Sequence, residues 1–122
     1  MPNILIVEDE AATAWALEES LSDEGYEITA VDSAEKALAA LRSRPADLVI
    51  TDLRLPRMDG LELVRRLKGR KHKAAVIVVT AYGTEETLRQ LEASGVHACF
   101  SKPFQMDRLR KSVEAALKVR VA

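Results

Sequence analysis

The acidic residues with the most chemical promise stand directly behind apolar runs. Asn3 to Val7 is followed at once by Glu8, Asp9 and Glu10, and Leu48, Val49 and Ile50 lead through Thr51 into Asp52. Runs this short and this apolar belong to strands buried on both faces of a parallel sheet. Ala74 to Thr80 ends in a hydroxyl, and Ala98 to Ser101 is followed by Lys102 and Pro103. In an open α/β sheet the carboxyl ends of parallel strands share one edge, and chemistry gathers there. Glu8, Asp9, Asp52, Thr80 and Lys102 are therefore expected at a single site. Crowded carboxylates repel one another and lose hydration, so the cluster needs positive charge, and Lys102 supplies one. An oxygen-only cluster that keeps waters suits Mg²⁺. A carboxylate beside Mg²⁺, a lysine and a hydroxyl is a setting for in-line phosphoryl transfer. Asp52 would be the nucleophile, forming an acyl phosphate, with Lys102 and Thr80 on the remaining phosphoryl oxygens.

Helices must carry the chain between these strands. The spacing of Ala14, Leu17 and Leu21 predicts a helix over Ala11 to Glu24, stopped by Gly25, with Trp15 in its packing. Tyr26 to Val31 alternates as a second strand, and Asp32 or Ser33 can cap a second helix lined by Ala34, Ala37, Leu38 and Leu41. Pro45 breaks the chain before the central strand, Asp47 to Thr51. Asp59 and Glu62 form a capping-box-like pair for a third helix lined by Leu61, Val64 and Leu67 and ended by Gly69. Gly83 and Thr84 open a fourth helix, closed by Gly95, whose thin stripe of Leu88 and Leu91 predicts loose docking. Met106, Leu109, Val113, Ala116 and Leu117 mark the last helix. Strand and helix alternate five times, the pattern of a doubly wound (βα)5 domain with helices on both faces of a parallel sheet.

The bulk properties exclude several classes. A chain of 122 residues suits one domain, 1–122. With 18 basic and 19 acidic residues the net charge is -1, which gives no pull toward nucleic acid or anionic membrane. The single cysteine, Cys99, excludes an internal disulfide and suits a reducing cytoplasm. No apolar run approaches the ~20 residues of a membrane span, and MPNILIVEDE turns acidic too soon for a signal peptide. The basic run Lys68 to Lys73 is short and broken by Gly69, as in a solvated loop, and His72 and His97 lack partners at metal-ligand spacing.

From end to end the chain resembles the receiver domain of bacterial two-component response regulators. The matching pieces are ILIVEDE (Ile4 to Glu10), VITDLRLPRMDGLEL (Val49 to Leu63), VIVVTAYG (Val76 to Gly83) and FSKPF (Phe100 to Phe104), in this order and spacing. The resemblance implies a flavodoxin-like sheet in strand order 2-1-3-4-5. It implies Asp52 as phosphoacceptor, Glu8 and Asp9 as the acidic pair serving Mg²⁺, and the backbone carbonyl of Arg54 as a further metal ligand. It also implies Thr80 as switch hydroxyl, Lys102 as phosphoryl-binding lysine and a cis peptide before Pro103. The expected function is a phosphorylation-activated signalling switch, with no enzyme activity beyond Mg²⁺-dependent self-phosphorylation and self-dephosphorylation. A sensor histidine kinase or histidine phosphotransfer protein supplies the phosphoryl group from phosphohistidine. The face made by the fourth helix, fifth strand and fifth helix then signals to an effector domain or protein, and is a candidate homodimer surface. The LRLPRMDG turn looks like that of receivers attached to transcription factors, although this domain is not itself expected to bind nucleic acid or membrane.

One departure concerns the readout. Many receivers carry Tyr or Phe where this chain has Cys99, three residues before Lys102, so Tyr82 or Phe100 is a substitute candidate in the switch, or the fourth helix carries it alone. A phosphorylation-independent interaction module on the same fold is the alternative function. A haloacid-dehalogenase-like phosphatase is disfavoured by Arg54, which stands where its acid/base Asp is needed, and a flavodoxin by the absence of a Ser/Thr/Gly-rich loop after the first strand.

Overall fold

A computed structural model describes residues 1–69, 74–81 and 83–121, the side chains of 119–121 excepted. Five strands and five helices alternate along it: β1 (Asn3–Val7), α1 (Ala11–Ser22), β2 (Glu27–Val31), α2 (Ala34–Ser43), β3 (Leu48–Thr51), α3 (Gly60–Lys68), β4 (Ala75–Thr80), α4 (Glu85–Ala93), β5 (Ala98–Ser101) and α5 (Met106–Val121). The strands are parallel, in the order β2-β1-β3-β4-β5, the expected doubly wound arrangement.

Because side chains alternate along a strand, each apolar run feeds two cores. Leu5, Val7, Val49, Val76 and Val78 pack with Ala34, Ala37 and Leu41 of α2, Leu63, Val64 and Leu67 of α3, and Leu91 of α4. Ile4, Ile6, Leu48, Ile50, Ile77 and Val79 pack with Leu17 and Leu21 of α1 and Leu109, Val113, Ala116 and Leu117 of α5. This two-sided burial is why β1, β3 and β4 show no polar alternation, while the outer strand β2 does.

Side-chain caps set three helix starts. Ser33 Oγ accepts from Lys36 N, Asp59 Oδ1 from Glu62 N, and Thr84 Oγ1 from Thr87 N. Asp32, the other cap candidate, pairs instead with Lys36 at 2.9 Å, and Glu62 pairs with Arg65 and Arg66. Helix α1 stops at Ser22, short of Glu24, and Gly25 follows with φ +88°.

Two packing expectations are corrected. Trp15 is 64% exposed, because at 100° per residue it lies roughly 160° round the helix from Leu17. Leu61 is 44% exposed, and Leu63 takes the core position. The α3 stripe is Gly60, Leu63, Val64 and Leu67, from whose centre Leu61 is turned away by roughly 110°. In α4, Leu91 is buried and Leu88 partly so. The basic run beyond Gly69, His72 and Tyr82 lie outside the described residues.

Candidate functional site at the strand ends

The sheet's own hydrogen bonds carry the site residues to one edge. Just past the strands, Glu8 N donates to Val31 O (3.0 Å), Asp52 N to Val7 O (3.1 Å) and Lys102 N to Thr80 O (2.9 Å). Glu8, Asp52 and Lys102 are thus each held by the neighbouring strand even though their own strands have ended. The peptide between Lys102 and Pro103 is cis.

At the centre, Lys102 Nζ donates to Glu8 Oε1 at 2.7 Å and to Asp52 Oδ2 at 2.8 Å, with Glu10 Oε1 at 3.8 Å. The other Asp52 oxygen, Oδ1, accepts from Arg54 N at 3.0 Å, and Glu8 Oε2 accepts from Glu10 N at 3.2 Å. Glu8, Asp52 and Thr80 are buried, whereas Asp9 faces solvent. One carboxylate oxygen from each of Glu8, Asp9 and Asp52 lies within 4.8 Å of the others.

These surroundings split the two buried acids. Burial pushes the Asp52 carboxyl up, but hydrogen bonds from Lys102, Arg54 N and the Thr80 hydroxyl together hold it below its ordinary value. Burial also pushes Glu8 up, and there the hydrogen bonds from Lys102 and Glu10 N do not overcome it. For Lys102, burial favours the neutral amine, yet Asp52 and Glu8 outweigh this and raise its pKa. At neutral pH, Asp52 is an anion beside a lysinium.

The donor set fits Mg²⁺. It is made of oxygen alone, two carboxylates are buried and fixed, and the third is open to water, as a hard cation that retains part of its hydration shell requires.

Of the residues singled out in the sequence, Glu8, Asp9, Asp52, Thr80 and Lys102 therefore meet, and Arg54 reaches Asp52 through its amide N–H rather than the carbonyl singled out in the sequence. Cys99 is half-buried away from this cluster; its Sγ lies 3.8 Å from Leu88 O of α4. Burial, and secondarily Glu92, pushes its thiol up to about 11. His97 is exposed. Glu10, the third carboxylate behind the first strand, approaches Lys102 from the edge of the cluster. Two supporting residues had no functional signal in the sequence: Thr51 Oγ1 donates to Asp52 O at 2.9 Å, and Glu35 of α2 accepts from Met58 N in the loop after Asp52. Gly60 did carry a signal, as the last residue of a turn-forming run. A Cβ there would come within 2.1 Å of Asp52 O, so the loop folds directly back over the phosphoacceptor candidate.

The model of the response regulator receiver domain matches residues 4–114. The chain is 32% identical over 117 residues to sporulation initiation phosphotransferase F of Bacillus subtilis, covering 96% of this chain and 94% of that protein. It is also 32% identical over 114 residues to the DNA-binding transcriptional regulator NtrC of Salmonella typhimurium, covering 93% of this chain but 24% of that one. Thus it spans about a quarter of the length of the NtrC relatives it matches. Among solved structures, a signal receiver domain from Vibrio parahaemolyticus superposes with a TM-score of 0.93 at 30% identity, covering 98% of this chain and 92% of that one. NtrX from Brucella abortus gives 0.90 at 34% identity, covering 98% and 27%. The chain belongs to the response regulator receiver domain family, the phosphorylation-based signalling module of two-component systems.

Proposed function

We propose that this chain is a phosphorylation-activated switch in which Asp52 accepts a phosphoryl group from a phosphohistidine donor. The observation that carries the proposal is the position of Lys102 Nζ, 2.7 Å from Glu8 and 2.8 Å from Asp52, beside the oxygen cluster completed by Asp9. An Asp52 oxygen attacks phosphorus and the P–N bond of the donor breaks. The electron pair of that bond returns to the imidazole nitrogen, which picks up a proton. The Asp52 carboxyl is held below its ordinary pKa, so the nucleophile is anionic at neutral pH. Lys102 places a positive charge at Asp52 Oδ2, and Thr80 a hydroxyl against the same carboxylate. Glu8, Asp9, Asp52 and the Arg54 carbonyl would hold Mg²⁺, which when bound would supply charge neutralisation to the phosphoryl transfer.

The phosphoryl group adds charge and acceptor oxygens at the edge where Thr80 ends β4. Thr80 is the proposed switch hydroxyl, and the α4–β5–α5 face the proposed output. The approach of Cys99 Sγ to Leu88 O, which joins β5 to α4, supports coupling without an aromatic ring at that position. The donor is a cytoplasmic histidine kinase or phosphotransfer protein, and the recipient an effector domain or protein. A homodimer through the same face would be excluded by light scattering that shows unchanged monomer with beryllofluoride and Mg²⁺.

Intact-mass spectrometry after incubation with acetyl phosphate and Mg²⁺ tests the chemistry. One phosphoryl adduct is expected on the wild type and none on Asp52→Asn or with EDTA. If neither an adduct nor beryllofluoride binding is found, the phosphorylation-independent interaction module becomes the better reading, as the missing ring at Cys99 would then favour.

A further inference from the structure

Glu35 sits in the first turn of α2, apart from the strand-end residues, yet its carboxylate reaches the loop that follows Asp52. Oε2 accepts from Met58 N at 3.2 Å, across 23 residues of sequence. Oε1 is shielded from solvent and has no hydrogen-bond partner among the described residues, and Arg57 Nε stands 3.8 Å from it as an ion pair. The loop is pinned at this point. Arg57 adopts φ 64°, a left-handed conformation that a residue with a Cβ takes up only under constraint. The Met58 side chain packs against the same core cluster as Ala34 and Ala37 of α2.

From this pin the chain leads straight back to Asp52. Gly60 N donates to Leu53 O at 2.8 Å and closes the loop, and Arg54 N donates to Asp52 Oδ1 at its start. A loop closed from Leu53 to Gly60 and tied at Met58 leaves the Arg54 backbone little room to move. The Glu35 carboxylate is held at both oxygens, Oε2 by the bond from Met58 N and Oε1 by the charge of Arg57, so the tie is fixed even though the side chain is partly exposed.

We infer that Glu35 is a positioning residue for the Asp52 site, fixing through Met58 the loop whose Arg54 backbone orients Asp52. As far as it concerns Mg²⁺, the inference rests on the proposed function above. Through this tie, α2 takes part in setting the geometry of the Asp52 site.

The test compares wild type, Glu35→Ala and Glu35→Gln by calorimetric titration with Mg²⁺, by hydrogen exchange of the Met58 amide, and by urea denaturation. Glu35→Ala should speed Met58 exchange and weaken Mg²⁺ binding about tenfold, the usual effect of losing a partner that orients a metal site, while Glu35→Gln, whose amide oxygen still accepts from Met58 N, stays within about twofold of wild type. If Glu35→Ala does not fold, Glu35→Asp takes its place, because its shorter side chain withdraws the carboxylate from Met58. Wild-type Mg²⁺ affinity in the alanine variant overturns the inference. So does equal weakening in both variants that tracks their loss of stability, which marks a general structural role. A wild type that neither binds Mg²⁺ nor takes a phosphoryl group overturns the proposed function itself, a result distinct from an active wild type matched by Glu35→Ala.

Discussion

Lys102 and Glu8 are 94 residues apart in the chain and 2.7 Å apart at the site, where the lysine also holds Asp52 at 2.8 Å. Its Nζ is the positive charge that makes two buried carboxylates tolerable, since their own repulsion and lost hydration oppose folding.

Removing that charge should therefore destabilise the metal-free protein. Lys102→Ala leaves Glu8 and Asp52 buried with neither their ion pair nor its hydrogen bonds, and breaking a buried pair from one side costs about 3 kcal/mol or more. Urea denaturation in EDTA measures the loss. Added Mg²⁺ should recover part of it, because the cation supplies charge to the same oxygens.

Asp9 allows a separate test of the proposed metal site, because it is the exposed member of the oxygen cluster. Wild type should gain about 1.4 kcal/mol of stability at Mg²⁺ ten times its dissociation constant. Asp9→Asn should fold as stably as wild type in EDTA and gain much less at the same Mg²⁺ concentration. Thermal unfolding with and without the metal decides the matter.

Gly60 is expected to be intolerant of even the smallest side chain. A Cβ there would lie 2.1 Å from Asp52 O and 2.6 Å from Leu53 Cα, backbone atoms that cannot move aside like a flexible side chain. Gly60→Ala should cost about 3 kcal/mol, at the upper end for overpacking. Because the displaced atoms belong to Asp52, it should also slow acyl phosphate formation in the mass assay.

The Cys99 thiol should titrate late. Its folded pKa is about 11, because burial and then Glu92 disfavour the thiolate. Alkylation by iodoacetamide should still be accelerating well above pH 9, where an exposed thiol of pKa about 8.5 has levelled off. The linked effect on stability has a definite sign. Since the folded pKa is raised, the contribution of the neutral thiol is complete below the ordinary value and is lost as pH rises through about 11. Cys99→Ser should remove that part of the alkaline decline in unfolding free energy.

The architecture was legible because its signals are local. Two-sided burial makes β1, β3 and β4 apolar without alternation, and Ser33, Asp59 and Thr84 announce helix starts through their own side chains. Trp15 and Leu61, both exposed, mark where local signals run out. An apolar residue in a helix invites assignment to the core, but which face it occupies depends on the centre of the stripe, and Leu17 and Leu63 set those centres.

What the sequence by itself determined is the alternation of elements, and with it the convergence of Glu8, Asp52, Thr80 and Lys102, since parallel strands bring their carboxyl ends to one edge. What only the tertiary structure decided is how these groups face one another. That Lys102 spans both carboxylates, that Asp52 is held acidic while Glu8 is pushed up, and that Glu35 ties the loop at Met58 all depend on ångström distances between segments remote in sequence. Hydrogen bonding and desolvation change steeply over such distances, whereas residue type and periodicity carry no measure of them.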